Sequence, residues 1–165
     1  MTEPPGPPDA GPKASRERDA LNVLYVEDYA PVATLVCDTF RRRAPEIHVE
    51  VVPTVAQAIE RLTLFEHGSP GVAGPSPRYD IVLSDLNLSD GLGLEVLAHV
   101  RSRGLFLAVV ILTASVEDDT LQGALRAGAD GYVLKRDDYL AQLPGALHAA
   151  VQSFRSRSES PAVRG

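Results

Sequence analysis

The stretch YDIVLSDLNLSDGLGLEVLAHVRSRGLFLAVVILTAS, residues 79–115, decides the fold. It opens on a short apolar run, Ile81 to Leu83, and ends on a longer one, Leu105 to Leu112. Both have strand length and are too apolar for one side to face water. Between them Leu92, Val96 and Val100 recur at helical spacing, and Gly104 stands where such a helix would stop. A buried strand, an amphipathic helix and a second buried strand make a right-handed crossover between parallel strands.

The same alternation continues outward. Val23 to Val26 and Ile47 to Val52 are strand-like runs on the N-terminal side, and Tyr132 to Leu134 is one on the C-terminal side. Helical faces lie between them: Val32, Leu35, Val36 and Phe40; then Val55, Ala58, Ile59 and Leu62; then Leu121, Ala124 and Leu125. Pro31 suits a first helical position, Thr54 a cap, and Gly68 and Gly128 the residues just past helix ends. A last helix carries Leu143, Leu147, Ala150, Val151 and Phe154 on one face, with Pro144 expected in its first turn. The fold class is α/β, a doubly wound five-stranded parallel sheet flanked by five helices.

A chain of 165 residues suits one domain. Residues 1–20 are rich in Pro and polar side chains and are expected to form a disordered tail. The domain is expected over residues 21–154, with 68–78 as a flexible insertion rather than a dedicated binding loop. Residues 155–165 read as a polar tail that leaves no room for an output domain.

The net charge of -6 offers no basic footprint, so nucleic acid is not an expected partner. No apolar run is long enough to span a bilayer, and the single Cys37, with no signal peptide, fits a reducing cytoplasm. Cys37 is most simply a small buried hydrophobe. His48, His67, His99 and His148 fall on separate elements without metal spacing and are expected in surface roles.

In an open parallel sheet, ligands bind beyond the carboxyl ends of the strands. Glu27 and Asp28 follow the first strand, Asp85 ends the third, Thr113 and Ala114 the fourth, and Lys135 the fifth. An acid after a strand is usually a cap or a solvated loop residue; five chemically matched residues at the correct ends are another matter. Three neighbouring carboxylates need a positive counter-charge, and an all-oxygen set suits Mg²⁺. A carboxylate can also accept a phosphoryl group, whose charge cation, ammonium and hydroxyl would meet. Lys135 is one of two lysines among 16 basic residues, so its place at a strand end is a specific choice.

With these residues in place the chain resembles response regulator receiver domains over Leu21 to Phe154. The motifs are LNVLYVEDYAP (21–31), YDIVLSDLNLSDGLG (79–93), VVILTAS (109–115) and GADGYVLKR (128–136). The resemblance implies a flavodoxin-like strand order 2-1-3-4-5, with Asp85 as phosphoacceptor and Mg²⁺ held by Glu27, Asp28, Asp85 and the backbone carbonyl of Asn87. Asp28 would be the direct ligand of the acidic pair. Thr113 and Lys135 would contact the phosphoryl group, and Asn87 and Ser115 would flank the water that hydrolyses it. Tyr132 looks like the family's switch aromatic, which turns inward as the Thr113 hydroxyl swings toward the phosphate; the plainer reading is a half-buried strand tyrosine. Gly93 matches a family glycine in the loop after the phosphoacceptor.

Three positions depart from the family pattern. The acidic pair is Glu then Asp. Ser89 replaces a frequent proline, which would loosen its loop. Arg136 replaces a proline that follows a cis bond; a non-proline cis bond costs about 3 kcal/mol, so a trans peptide is expected here.

The resemblance implies a sensor histidine kinase as partner, with a downstream phosphotransfer or effector protein, in a single-domain regulator that is a monomer or homodimer. Arg41 to Arg43 either complement the helix dipole or contact the kinase. Two alternatives compete. A haloacid-dehalogenase-like phosphatase would need a second aspartate where Asn87 stands. A receiver-like interaction module could act without phosphate. A dinucleotide-binding reading fails because no G-x-G-x-x-G follows the first strand.

Overall fold

The computed structural model describes residues 20–67 and 78–159. The expected N-terminal tail up to residue 19, residues 68–77 of the expected 68–78 insertion, Gly68 among them, and residues 160–165 lie outside the described residues. Five parallel strands form the main sheet: β1 (Leu21–Val26), β2 (Ile47–Val52), β3 (Ile81–Asp85), β6 (Ala108–Thr113) and β7 (Gly131–Leu134), in the order β2-β1-β3-β6-β7. Counting these five alone, the order is the expected 2-1-3-4-5. The helices are α1 (Ala30–Arg43), α2 (Val55–His67), α3 (Gly93–Ser102), α4 (Asp119–Arg126) and α5 (Tyr139–Glu159).

Side chains alternate across each strand, and this alternation builds two cores from one sheet. Leu21, Val23 and Tyr25 face Val36 and Phe40 of α1 and Leu143, Leu147 and Val151 of α5. Leu24 and Val26 face the other way, toward Leu62 of α2, Val96 and Val100 of α3, and Leu121 of α4. All six residues of β6 are buried, as befits a strand covered on both faces. The apolar stripe of α5 is consumed in covering the sheet.

Four local features differ from the sequence reading. Residues 105–107 are not strand: Leu105 N–H bonds back to the Val100 carbonyl at 3.1 Å, and Gly104 has φ of 61°, so these residues terminate α3. Pro144 lies inside α5, one turn later than expected, because the helix begins at Tyr139. That helix runs on to Glu159, past the boundary expected at Phe154. Its extension is held by Arg155 to Asp80 at 2.9 Å and by Arg157 to Asp130. Finally, β4 (Asn87–Leu88) and β5 (Gly91–Leu92) form a small antiparallel hairpin after β3.

This hairpin shapes the loop that follows Asp85. Asp90, at its turn, accepts hydrogen bonds from the backbone N–H of Val55 at 2.9 Å and of Ala56 at 3.1 Å, and so caps α2. Those two amides hold its carboxyl below the usual aspartate range. Thr54 caps the same helix, accepting from Gln57 N–H at 3.1 Å. The loop is therefore tied down through Asp90 even though Ser89 replaces proline.

Gly93 donates its N–H to the Leu86 carbonyl at 2.8 Å and starts α3 directly beneath the loop. A Cβ there would stand 2.4 Å from the Asp85 carbonyl oxygen and 2.9 Å from Ser84 Oγ. Backbone cannot yield as a flexible side chain does, so Gly93→Ala should lower the free energy of unfolding by about 1–3 kcal/mol, measured by urea titration.

Candidate functional site

The carboxyl ends of β1, β3 and β7 bring four of the expected residues together. Glu27 N–H bonds to the Val52 carbonyl at 3.0 Å, which keeps the chain in sheet register just past β1 and fixes where Glu27 and Asp28 begin. Asp85 is the last residue of β3. One carboxylate oxygen from each of Glu27, Asp28 and Asp85 lies within 4.8 Å of the others. Lys135 follows β7, and its Nζ donates to Asp85 Oδ2 at 2.7 Å and to Glu27 Oε2 at 3.4 Å.

The Lys135 backbone is placed by its own N–H, which bonds to the Thr113 carbonyl at 2.8 Å. No peptide among the described residues is cis, so the Lys135–Arg136 bond is trans, as expected. Arg136 donates its N–H to the Leu134 carbonyl at 2.9 Å, a bond that proline could not make. The turn is completed by Asp137 at φ of 51°. A different backbone solution thus delivers the ammonium to Asp85.

Glu27 is 3% exposed and carries the most constrained charge of the group. Burial pushes its carboxyl above the usual glutamate range; the Tyr29 backbone N–H counters this, and the Asp85 charge adds to it. For Lys135, burial works against the charge, but the hydrogen bond and attraction of Asp85, then Glu27, outweigh it and raise its pKa. Tyr25, which the sequence reading passed over as a strand residue, donates its hydroxyl to Glu27 Oε2 at 3.2 Å. Burial, then the Glu27 charge, pushes this phenol well above the ordinary tyrosine value. The available signal was the spacing: residues two apart on a strand share a face, so Tyr25 points where Glu27 points.

The other expected residues surround this cluster without joining it. Thr113 is buried at the end of β6, and its hydroxyl donates to the Ser115 carbonyl at 3.1 Å while accepting from Ser115 N–H at 3.3 Å. Ser115 is exposed, and its own hydroxyl accepts from Glu117 N–H at 3.1 Å. Asn87 is exposed in the hairpin. Tyr132 is 43% exposed on β7, pointing outward.

Two side readings need correction. Cys37 is half-buried rather than buried, with a thiol pKa raised by that burial. His99 is not a plain surface residue: its Nε2 is buried without a hydrogen-bond partner, and burial, then Arg103, lowers its pKa. His148, by contrast, pairs with Glu46 at 3.2 Å.

Residues 23–143 match the family profile described as the response regulator receiver domain. The chain belongs to this family. Receiver domains are the signalling modules of two-component systems, and phosphorylation and signal transduction are the family's business. Among curated proteins, this receiver is similar to the nitrate/nitrite response regulator NarL of Escherichia coli, with 37% identity over 87% of this chain and 60% of that protein. It is also 39% identical to the DNA-binding transcriptional activator DevR/DosR of Mycobacterium tuberculosis, over 70% of this chain and 48% of that protein. The chain thus spans about half the length of the curated relatives it matches. The receiver domain of a LuxO repressor protein from Vibrio parahaemolyticus shares the fold, with a TM-score of 0.66 and 20% identity over 88% of this chain and 98% of that one. The phosphorylated cyanobacterial phytochrome response regulator RcpA shares it too, with a TM-score of 0.63 and 23% identity over 84% and 96%.

The raised pKa of Glu27 has a definite sign for the receiver's stability. An acid whose folded pKa exceeds its unfolded value contributes stability that is complete below the unfolded pKa and lost as pH rises through the folded one. In the presence of a chelator, Glu27→Gln should therefore gain on the wild type in urea midpoint as pH is raised from 4.5 toward 7. A difference between the two that stays flat with pH would contradict the assignment.

Proposed function

We propose that this receiver accepts a phosphoryl group on Asp85 from a sensor histidine kinase, in a Mg²⁺-dependent reaction, and thereby switches a protein-interaction surface around Tyr132. The observation that carries this reading is the 2.7 Å bond from Lys135 Nζ to Asp85 Oδ2 inside a cluster of three carboxylates. The donor set fits the ion: it offers carboxylate oxygen and neither imidazole nor thiolate, which suits a hard divalent cation. Glu27, Asp28, Asp85 and the Asn87 carbonyl would hold it, with Asp28 as the direct ligand of the acidic pair. Bound there, Mg²⁺ supplies charge neutralisation between the carboxylates and the incoming phosphoryl oxygens.

The residues of the chain divide the remaining tasks. An Asp85 carboxylate oxygen attacks phosphorus as the bond to the donor imidazole breaks, leaving an acyl phosphate on the protein. Lys135, already at Asp85, needs only a small movement to pair with a phosphoryl oxygen. The Thr113 hydroxyl would exchange its bond to the Ser115 carbonyl for a phosphoryl oxygen, drawing the loop after β6 with it. That withdrawal opens the space into which Tyr132 turns from its outward position, changing the face formed by α4, β7 and α5. Asn87 and Ser115, both exposed, would govern access of the water that removes the phosphoryl group.

A downstream phosphotransfer or effector protein would read that face. The acidic net charge argues against direct nucleic-acid contact by this segment, and the unpaired Cys37 suits the reducing cytoplasm. Arg41, Arg42 and Arg43 end α1, where they favour the negative end of the helix dipole; Arg41 pairs with Asp38 at 2.9 Å, and the three would offer a kinase a basic contact.

Intact-protein mass after incubation with acetyl phosphate and Mg²⁺ should show one phosphoryl adduct that is absent with EDTA and absent in Asp85→Asn. Lys135→Ala should slow its formation on the order of 100-fold, the usual loss when one charge-stabilising donor is removed. No adduct, together with no binding of a beryllofluoride mimic, would make the chain a phosphate-independent interaction module instead.

A further inference from the structure

Tyr25 has no exposed surface, yet it brings a hydroxyl into the core beneath the acidic cluster. A buried phenol needs an acceptor, and here the acceptor is the Glu27 carboxylate, at 3.2 Å. Glu27 has three donors in all. Its Oε1 accepts from the Tyr29 backbone N–H at 3.1 Å, and its Oε2 is shared by the Tyr25 hydroxyl and Lys135 Nζ, the latter at 3.4 Å.

These donors are not equivalent. Lys135 is closer to Asp85, at 2.7 Å, and in the function proposed above it follows the phosphoryl group. The Tyr29 amide holds one oxygen and leaves the carboxylate free to swing about it. Tyr25 alone of the three is a side chain locked by packing, between the core residues of α1 and α5, and bonded to the oxygen that Lys135 would release.

We propose that Tyr25 is a positioning residue for the cation site: its hydroxyl holds the Glu27 carboxylate in place beside Asp28 and Asp85 whether or not Lys135 is engaged there. The inference rests on the reading of this cluster as a Mg²⁺ site. The Glu-then-Asp pair becomes intelligible in the same terms, because the extra methylene of glutamate is what brings the carboxylate within reach of a phenol on the preceding inward-facing position. A ring that merely filled the core would serve equally well without its oxygen.

The test is Mg²⁺ affinity by isothermal titration calorimetry on the full chain, for the wild type, Tyr25→Phe, Glu27→Asp and the double variant, with urea midpoints taken in EDTA. Tyr25→Phe should bind Mg²⁺ about tenfold more weakly, the lower end of what outer-sphere partners contribute, while keeping a midpoint close to the wild type. In the Glu27→Asp background the same change should have no effect, because the shortened carboxylate lies beyond the phenol. Affinity within about twofold of the wild type, or an equal loss in both backgrounds, would overturn the proposal. If the wild type itself binds no Mg²⁺, the reading of the site falls first and the proposal with it.

Discussion

Three carboxylates whose oxygens approach within 4.8 Å repel one another, most strongly at the buried Glu27, and the placement of Lys135 answers that repulsion. The ammonium bridges Asp85 and Glu27, the two members supplied by different strands, and it arrives from a third. Its position depends on β7 lying next to β6, where Lys135 N–H can take the Thr113 carbonyl. The order of the parallel sheet is thus what brings a counter-charge to the carboxylates.

Around the cluster, rigidity and freedom are distributed unevenly. Below it, Gly93 and the Asp85 backbone are in contact too close for a Cβ, and Asp90 fastens the hairpin to the first turn of α2. Tyr25 holds Glu27 from within the core. On the other side, the Thr113 hydroxyl is bonded to the short loop that follows it, and Tyr132 lies exposed on the edge strand. In the function proposed above, a phosphoryl group on Asp85 would meet a fixed floor and a movable wall, and displacement would be directed toward α4, β7 and α5.

The opposite end of the sheet is fastened by a second charge network. Asp130 accepts from the Val109 backbone at 2.7 Å and from Arg101 at 2.6 Å, and it also receives Arg157 from the end of α5. Arg101 further donates to the Leu107 and Gly128 carbonyls and packs over the Phe154 ring, which in turn meets Phe106. These contacts explain why α5 continues for five residues beyond the last apolar position of its stripe. Charge pairing extends a helix whose sequence there offers no hydrophobic face.

The amino-acid sequence alone determined the alternation of five apolar strands and five helices, because apolar runs such as Ile81 to Leu83 and helical repeats such as Val32, Val36 and Phe40 have distinct periods. It also determined that Glu27, Asp28, Asp85 and Lys135 stand at strand ends, since each follows such a run within two residues. Only the tertiary structure decided how those ends are used. The assignment of residues 105–107 to helix termination, the capping of α2 by Asp90, the pairing of Arg157 with Asp130 and the bond from Tyr25 to Glu27 all join residues to partners chosen by folding. Period and propensity are local quantities, whereas a hydrogen bond across 35 residues or a salt bridge across 27 depends on where the backbone has already brought its two ends.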